Sequence, residues 1–524
     1  MKLIPKNKLK IHLAQYQKSL VKPYIVQKEL LFSIIEKNKK TVYGKKYNFK
    51  NIKSIKEFQE KIPIITYEDI LPYINRLQNG EQNVLCFQKV IYFATTSGTT
   101  NKIKLIPITK ERKKQLNKEL VLWMFFVLKK FKNVLNGKLL YFAGPPFEGI
   151  TEGGIVKGSI SGYMATQRPW FAKKKLVVPT NVYNEKDISK KTKIIARLAL
   201  KTKNITQIGF FAPIEAILFF EHIKQNKEEL IKFIRQINPK RANELKSLKT
   251  FTPKNIWPKL ELINCIKSDN QIPYLKTLKE LIGDKKIIIR DHGIYASEGR
   301  LSLGITKYDR AGVVVATENF FEFCTLQEDG SFGKPLTINK VEKGKKYKII
   351  MTTTEGLYRY DIGDIIEVID FKKKLPIIQF VTRNNFLNIT GELAPEQQLI
   401  NSIEQTMKKT KTLINRYMFT FKQPKNKEKP AYLILLELEK NYSEKKLKKF
   451  CEDLDNHLQK NINDYKQMRN EFGRLDKPSI GIVKKGSFKT FDKKRLCGSG
   501  QPKPIIIGKN HNIQKEFEIT KIIS

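Results

Sequence analysis

Cysteine is scarce. The five in this 524-residue chain, Cys86, Cys265, Cys324, Cys451 and Cys497, include no close pair. That spacing indicates neither a disulfide framework nor a structural zinc site. The five histidines, His12, His222, His292, His457 and His511, are equally dispersed. Long apolar runs are missing too. The strongest, Leu120 to Leu128, falls far short of the roughly 20 residues that span a bilayer. Met1-Lys2-Leu3-Ile4-Pro5-Lys6 lacks the continuous apolar core of a signal peptide. The expectation is a soluble cytoplasmic protein with no membrane partner. Internal repeats and low-complexity linkers are also absent.

Acidic residues are the other shortage. Asp and Glu total 51 against 99 Lys and Arg, a formal charge of +48. Such a charge raises a nucleic-acid partner as a reading from a different class. However, there is no aromatic-rich RNA-binding signature, no zinc-finger spacing and no arginine-rich tail. The lysines are scattered through the whole length, alongside abundant isoleucine and asparagine. That pattern fits a coding bias that places lysine on solvated faces, so no specific nucleic acid is expected.

What is present is a foldable chain, 40% hydrophobic and 10% aromatic. Residues 1–60 read as helical and basic, with Ile25, Leu30, Leu31, Ile34 and Ile35 as an apolar face. Thr109 is placed to cap a helix carrying Leu116, Leu120, Trp123 and Val127 at helical spacing. Extended runs are expected at Leu139–Gly144 and Gly158–Tyr163, and a buried strand and turn at Ile208–Pro213. Strands alternating with helices predict an α/β layered core. From Lys285, short apolar runs beginning at Ile287-Ile288-Ile289 predict antiparallel strands in a sheet extension or distorted barrel. After Arg383 the chain alternates again. The expected architecture is therefore a large α/β domain over 1–383, with a barrel-like strand-rich part at 285–383, and a small α/β domain over 384–524.

Four stretches carry chemistry. Thr95-Thr96-Ser97-Gly98-Thr99-Thr100-Asn101-Lys102 follows an apolar strand and precedes a helix. Glycine permits a turn that exposes backbone N–H groups, hydroxyls donate to phosphate oxygens, and lysines offset their charge. A hydroxyl-rich connecting loop is the bland alternative. Next, Tyr295-Ala296-Ser297-Glu298 closes a strand with a ring, a hydroxyl and a carboxylate suited to a purine, a phosphate and magnesium; a polar strand-end turn competes. In Tyr358-Arg359-Tyr360-Asp361-Ile362-Gly363-Asp364, the last carboxylate opens an apolar strand and needs donors. Ribose hydroxyls, a backbone turn or Arg359 would supply them. Near the C-terminus come Lys485-Gly486-Ser487-Phe488 and Pro502-Lys503-Pro504, where two prolines constrain the lysine backbone.

In this order the stretches resemble the acyl-adenylate-forming superfamily, and within it the auxin-responsive-promoter family of acyl-acid amido synthetases. Ile256-Trp257-Pro258-Lys259-Leu260, Phe321-Glu322-Phe323 and Gly391-Glu392 extend the likeness over nearly the whole chain. The resemblance implies ATP-dependent activation of a small carboxylic acid, then transfer of the acyl group to an amine, typically an amino acid. It implies that Thr96, Ser97, Gly98, Thr99 and Thr100 meet the phosphates. It places Tyr295, Ala296 and Ser297 by the nucleotide, Asp364 on the ribose and Arg383 on ribose or phosphate at a hinge. Glu298 would be catalytic through magnesium, and Lys503 would be the lysine of a mobile C-terminal domain. The chain departs from the superfamily loop at Asn101, where glycine is frequent, and at Ile103, where proline is. A thiol acceptor, giving an acyl-thioester, is the alternative within the superfamily.

Overall fold

The structure is a computed structural model. It describes all residues except 1–5, 98–102, 268–271, 328–330, 384–385, 388, 391, 393, 423–428, 472–473, 500–504 and 509–512; of residues 6–8, 97, 171, 188, 272–273, 382–383, 471 and 495–499 it describes the backbone alone. The chain divides into two compact units. The larger holds Met1–Ile362, Ile366–Phe380 and Cys497–Pro502, and the smaller holds Gly363–Ile365, Val381–Leu496 and Lys503–Ser524. No described helix is long and apolar enough to cross a membrane.

The larger unit opens with the helices Lys6–Val21 and Pro23–Asn38. Leu31, Ile34 and Ile35 are buried, whereas Ile25, expected on the same face, is 43% exposed. At 3.6 residues per turn, Ile25 points well away from the other three. The strands Val90–Ser97 and Ile103–Thr109 form an antiparallel hairpin, pairing Thr95 with Leu105 and Thr96 with Lys104. Thr109 caps the helix Lys110–Lys130 by accepting from the Arg112 N–H. Leu116, Trp123 and Val127 are buried on that helix, as its spacing predicts.

Residues 158–163 differ from expectation. The chain leaves a short strand at Gly158 and turns into the helix Ile160–Thr166. Gly162 belongs there because a Cβ would lie 2.2 Å from the Gly144 carbonyl oxygen and 2.6 Å from the Pro146 nitrogen. Close backbone packing, rather than an extended run, explains the glycine.

A second sheet is wholly parallel, in the order Lys138–Tyr141, Ile205–Gly209, Leu262–Asn264, Ile288–Arg290. The isoleucine run at 287–289, expected to open the antiparallel region, is the edge of this sheet, with Ile289 opposite Ile263. A three-residue apolar run does not reveal the direction of its partner. The strand-rich stretch that follows forms a seven-stranded sheet between Ser302 and Arg383.

In the smaller unit the helices Glu396–Thr410 and Glu444–Asn461 accompany a four-stranded sheet. Its order is Ile414–Lys422, Ala431–Leu438, Ser479–Val483, Ile519–Ile523. Glu392, fully buried, accepts from the N–H groups of Ile389 and Thr390, both at 2.9 Å, and from the Tyr432 hydroxyl at 3.1 Å. The fold class is α/β, as the alternation of elements predicts.

Candidate active site

Thr95, Thr96 and Ser97 end the first strand of the hairpin Val90–Thr109. Thr96 is half-buried near its tip, and Ser97 ends the strand; Gly98, Thr99 and Thr100 lie outside the described residues. The stem is fastened by Tyr67, in the first turn of the helix Tyr67–Gln78, whose hydroxyl accepts from the Leu105 N–H at 2.8 Å. Lys104 stands 5.2 Å from the centre of the Tyr67 ring. On the neighbouring strand, Thr95 hydrogen-bonds the Glu148 carboxylate, a group whose pKa burial pushes up.

The second stretch folds as a tight turn. Ala296 and Gly299 exchange backbone hydrogen bonds at 3.0 and 3.2 Å, leaving Ser297 and Glu298 at its two corners. Tyr295 bridges to Arg300 across the turn. Gly299 leaves room for its neighbours, since a Cβ would lie 2.5 Å from the Asn319 side-chain nitrogen. Upstream, Gly293 takes φ +89°, with the Ser302 carbonyl oxygen 2.2 Å from where a Cβ would be. The turn faces the hairpin: burial raises the pKa values of Tyr67 and Tyr360, and the charge of Glu298 adds to both shifts. Hairpin stem, helix start and carboxylate turn thus converge.

Next to the turn lies a buried ion network that the sequence reading missed. Arg300 holds its guanidinium 4.9 Å from the Tyr295 ring centre, donates to the His292 carbonyl at 2.7 Å and lies 3.5 Å from Glu119. Glu119 pairs with Arg112 at 3.0 Å, and Arg112 lies 3.7 Å from Glu355. Burial pushes the Tyr295 hydroxyl up to about 12 and holds His292 down at about 3, neutral at ordinary pH. The hint available was spacing: Arg112 and Glu119, seven residues apart, share a helix face with Leu116 and Trp123.

In the third stretch Arg359 is committed elsewhere. It sits at φ +47°, grips both oxygens of Glu322 at 3.0 Å and donates to the carbonyls of Gln59 and Ile62. Asp364 is 4% exposed on the strand Tyr360–Lys372, and Arg383 ends the strand Leu375–Arg383. Lys485 and Gly486 lead into the helix Ser487–Ser499, with Gly486 at φ +90°. Lys503 lies outside the described residues. Among the described residues no cluster of three or more metal-ligating side chains occurs. A lone carboxylate at a turn corner fits a magnesium ion that takes most of its oxygens from phosphates and water.

Residues 12–287 match the GH3 family N-terminal domain, 312–383 its central domain and 397–511 its C-terminal domain. The chain belongs to the GH3 family. Among its relatives, jasmonoyl--L-amino acid synthetase JAR4 of Nicotiana attenuata is 26% identical over 473 residues, covering 82% of each chain. Indole-3-acetic acid-amido synthetase GH3.10 of Arabidopsis thaliana is 23% identical over 537 residues, covering 88% of each. The solved GH3.15 acyl acid amido synthetase superposes with a TM-score of 0.84 at 20% identity, over 98% of this chain and 96% of that one. A 2-hydroxyisobutyryl-CoA ligase holding 2-HIB-AMP superposes at 0.51 and 11% identity, over 93% and 89%. At these identities both likenesses establish the fold alone, while the family rests on the three matched domains. The family suggested by the ordered motifs is thereby borne out.

Proposed function

We propose that this GH3 protein activates a carboxylic acid with ATP and passes the acyl group to an amine, and the names of its relatives point to an amino acid as that amine. In the first half-reaction a carboxylate oxygen attacks the α-phosphorus and pyrophosphate leaves. In the second, the amine nitrogen attacks the acyl carbon, AMP leaves with the bonding pair, and the nitrogen gives up a proton. The observation that carries this reading is the convergence of the hydroxyl-rich hairpin with the Ser297–Glu298 turn, fixed by Tyr67.

Each side chain has a role in that scheme. Thr96, Ser97, Gly98, Thr99 and Thr100 donate to phosphate oxygens, and Tyr295, Ala296 and Ser297 border the nucleotide. Asp364 takes the ribose hydroxyls, and Arg383 takes ribose or phosphate. Glu298 would hold magnesium, which when bound supplies positive charge to the phosphates. Lys503 offsets charge on the carboxylate and α-phosphate, where two anions must meet. Residues 1–383 and 384–524 are read as the two domains, the smaller reorienting between half-reactions.

A carboxylate screen by ATP–pyrophosphate exchange, followed by mass analysis of products with mixed amino acids or coenzyme A, tests the proposal. Acid-dependent exchange and an amide product are expected. An acyl-thioester as the sole product would move the chain to the thiol-accepting branch, and absence of exchange with every acid would sink the proposal.

A further inference from the structure

All four strands of the parallel sheet end on one row. Tyr141, Gly209, Asn264 and Arg290 are the last residues of their strands. The register sets Tyr141 beside Gly209, Gly209 beside Asn264 and Asn264 beside Arg290. Side chains at one level of a parallel sheet project to the same face, and those two residues back along a strand do so too. The face therefore carries a phenol, a carboxamide, a guanidinium and, one step down, the Gln207 amide. The other face carries Leu140, Ile208, Ile263 and Ile289, all in one apolar cluster. Gly209 makes the row possible, because a Cβ there would lie 2.4 Å from the Tyr141 ring.

Polar atoms on this row lack partners among the described residues. Asn264 is 3% exposed, and neither its Oδ1 nor its Nδ2 has a hydrogen bond. Gln207 gives its Nε2 to the Tyr141 hydroxyl at 2.7 Å but leaves Oε1 unpartnered. Arg290 binds the Gly304 carbonyl through Nε and Nη2, leaving Nη1 over. Arg168, 4.9 Å from the Tyr141 ring centre, has an unpartnered Nε. An unsatisfied buried group carries its full desolvation cost, and folded proteins leave few of them. Here they gather at the carboxyl ends of parallel strands, where open α/β sheets bind ligands. The segments leaving the two outer strands also lead to the candidate active site. One carries Glu148, bonded to Thr95, and the other carries Ser297 and Glu298.

We propose that this row receives oxygen substituents on the acyl part of the substrate. The acid would then bear hydroxyl, carbonyl or second carboxylate groups and would not be a plain alkyl or aryl acid. The inference rests on the acid-activating function proposed above. Asn264 offers a donor and an acceptor, Gln207 an acceptor, and Arg168 and Arg290 donors. The row itself holds no carboxylate, so it suits oxygen groups better than an ammonium.

The test is pyrophosphate exchange with matched acids, hydroxybenzoates against benzoate and succinate against butyrate, in wild type and Asn264→Leu, together with thermal unfolding of both. Wild type should favour the oxygenated member of a pair by about tenfold or more in kcat/KM, and Asn264→Leu should cut that ratio by about fivefold or more. Tm should hold or rise in the variant, because an apolar side chain of similar size replaces an unsatisfied amide. Exchange with plain acids alone, a selectivity ratio unmoved by Asn264→Leu, or a Tm drop of several degrees would each overturn the inference while leaving the activation reading intact. No exchange with any acid would overturn both.

Discussion

Arg112 and Glu119 stand two turns apart on one helix and pair at 3.0 Å, with side chains 0% and 2% exposed. The other Glu119 oxygen lies 3.5 Å from Arg300, next to the Ser297–Glu298 turn. One carboxylate thus separates two guanidiniums in a nearly dry setting. Replacing it takes the Glu119 counter-charge from Arg300 and leaves Arg112 with Glu355 at 3.7 Å, and losing one partner of a buried pair costs about 3–5 kcal/mol. Glu119→Gln is therefore expected to lower unfolding stability by that order in urea. Glu29→Gln, from an exposed pair with Lys18 at 2.7 Å, should change little. Equal small effects for both variants would mean that the buried network does not hold the turn.

Glu298→Gln addresses the metal. The side chain is half-buried at a turn corner held by backbone bonds, so stability should hold. Even indirect metal-site losses cost about 10–100-fold in affinity, so the magnesium concentration for half-maximal exchange should rise by at least about tenfold. Titration of magnesium at saturating ATP reads this out. An unchanged midpoint would leave Glu298 as an ordinary surface carboxylate.

Lys503→Ala should cut acid-dependent exchange by about 100–1000-fold, the cost of one preorganised charge donor. Circular dichroism and ATP binding by calorimetry should stay near wild type. If exchange survives, Lys485→Ala is the next variant, since Lys485 immediately precedes the left-handed Gly486.

Glu215 gives a pH dependence. Burial pushes its carboxyl up to about 7 from 4.5, although it accepts from the Phe211 N–H at 2.7 Å and has Lys191 nearby. The folded state then binds more protons than the unfolded state between those values, so this group's contribution to stability falls as pH rises. Relative to Glu215→Gln, wild type should lose stability from pH 4.5 through 7 and level off above, by at most about 3 kcal/mol. Urea midpoints for both proteins at pH 5, 6, 7 and 8 measure it. A constant difference would mean that Glu215 titrates as it does in the unfolded chain.

Much of the architecture was legible because its signals are local. The Thr109 cap and the stripe Leu116, Trp123, Val127 follow from a hydroxyl residue placed just before one helical period. Where two structures share a local signal, the reading failed. Ile287-Ile288-Ile289 fits a parallel or an antiparallel neighbour equally well, and Gly162 suits an extended run as readily as a helix pressed against residues 144–146. For the candidate site, hydroxyls, glycine and a carboxylate in order are what point to Thr96–Thr100 and Ser297–Glu298 in the sequence.

The amino-acid sequence by itself determined the α/β class, the family and the order of the candidate nucleotide-binding stretches, because each depends on residues close together in the chain. Only the tertiary structure decided that Arg359 serves Glu322, that Arg112, Glu119 and Arg300 form one buried network, and that Tyr141, Gly209, Asn264 and Arg290 share a row. Apart from the Arg112–Glu119 pair within one helix, those relationships join residues tens to hundreds of positions apart. They are set by strand register and by the need to pair buried charge, and no short window of sequence records either.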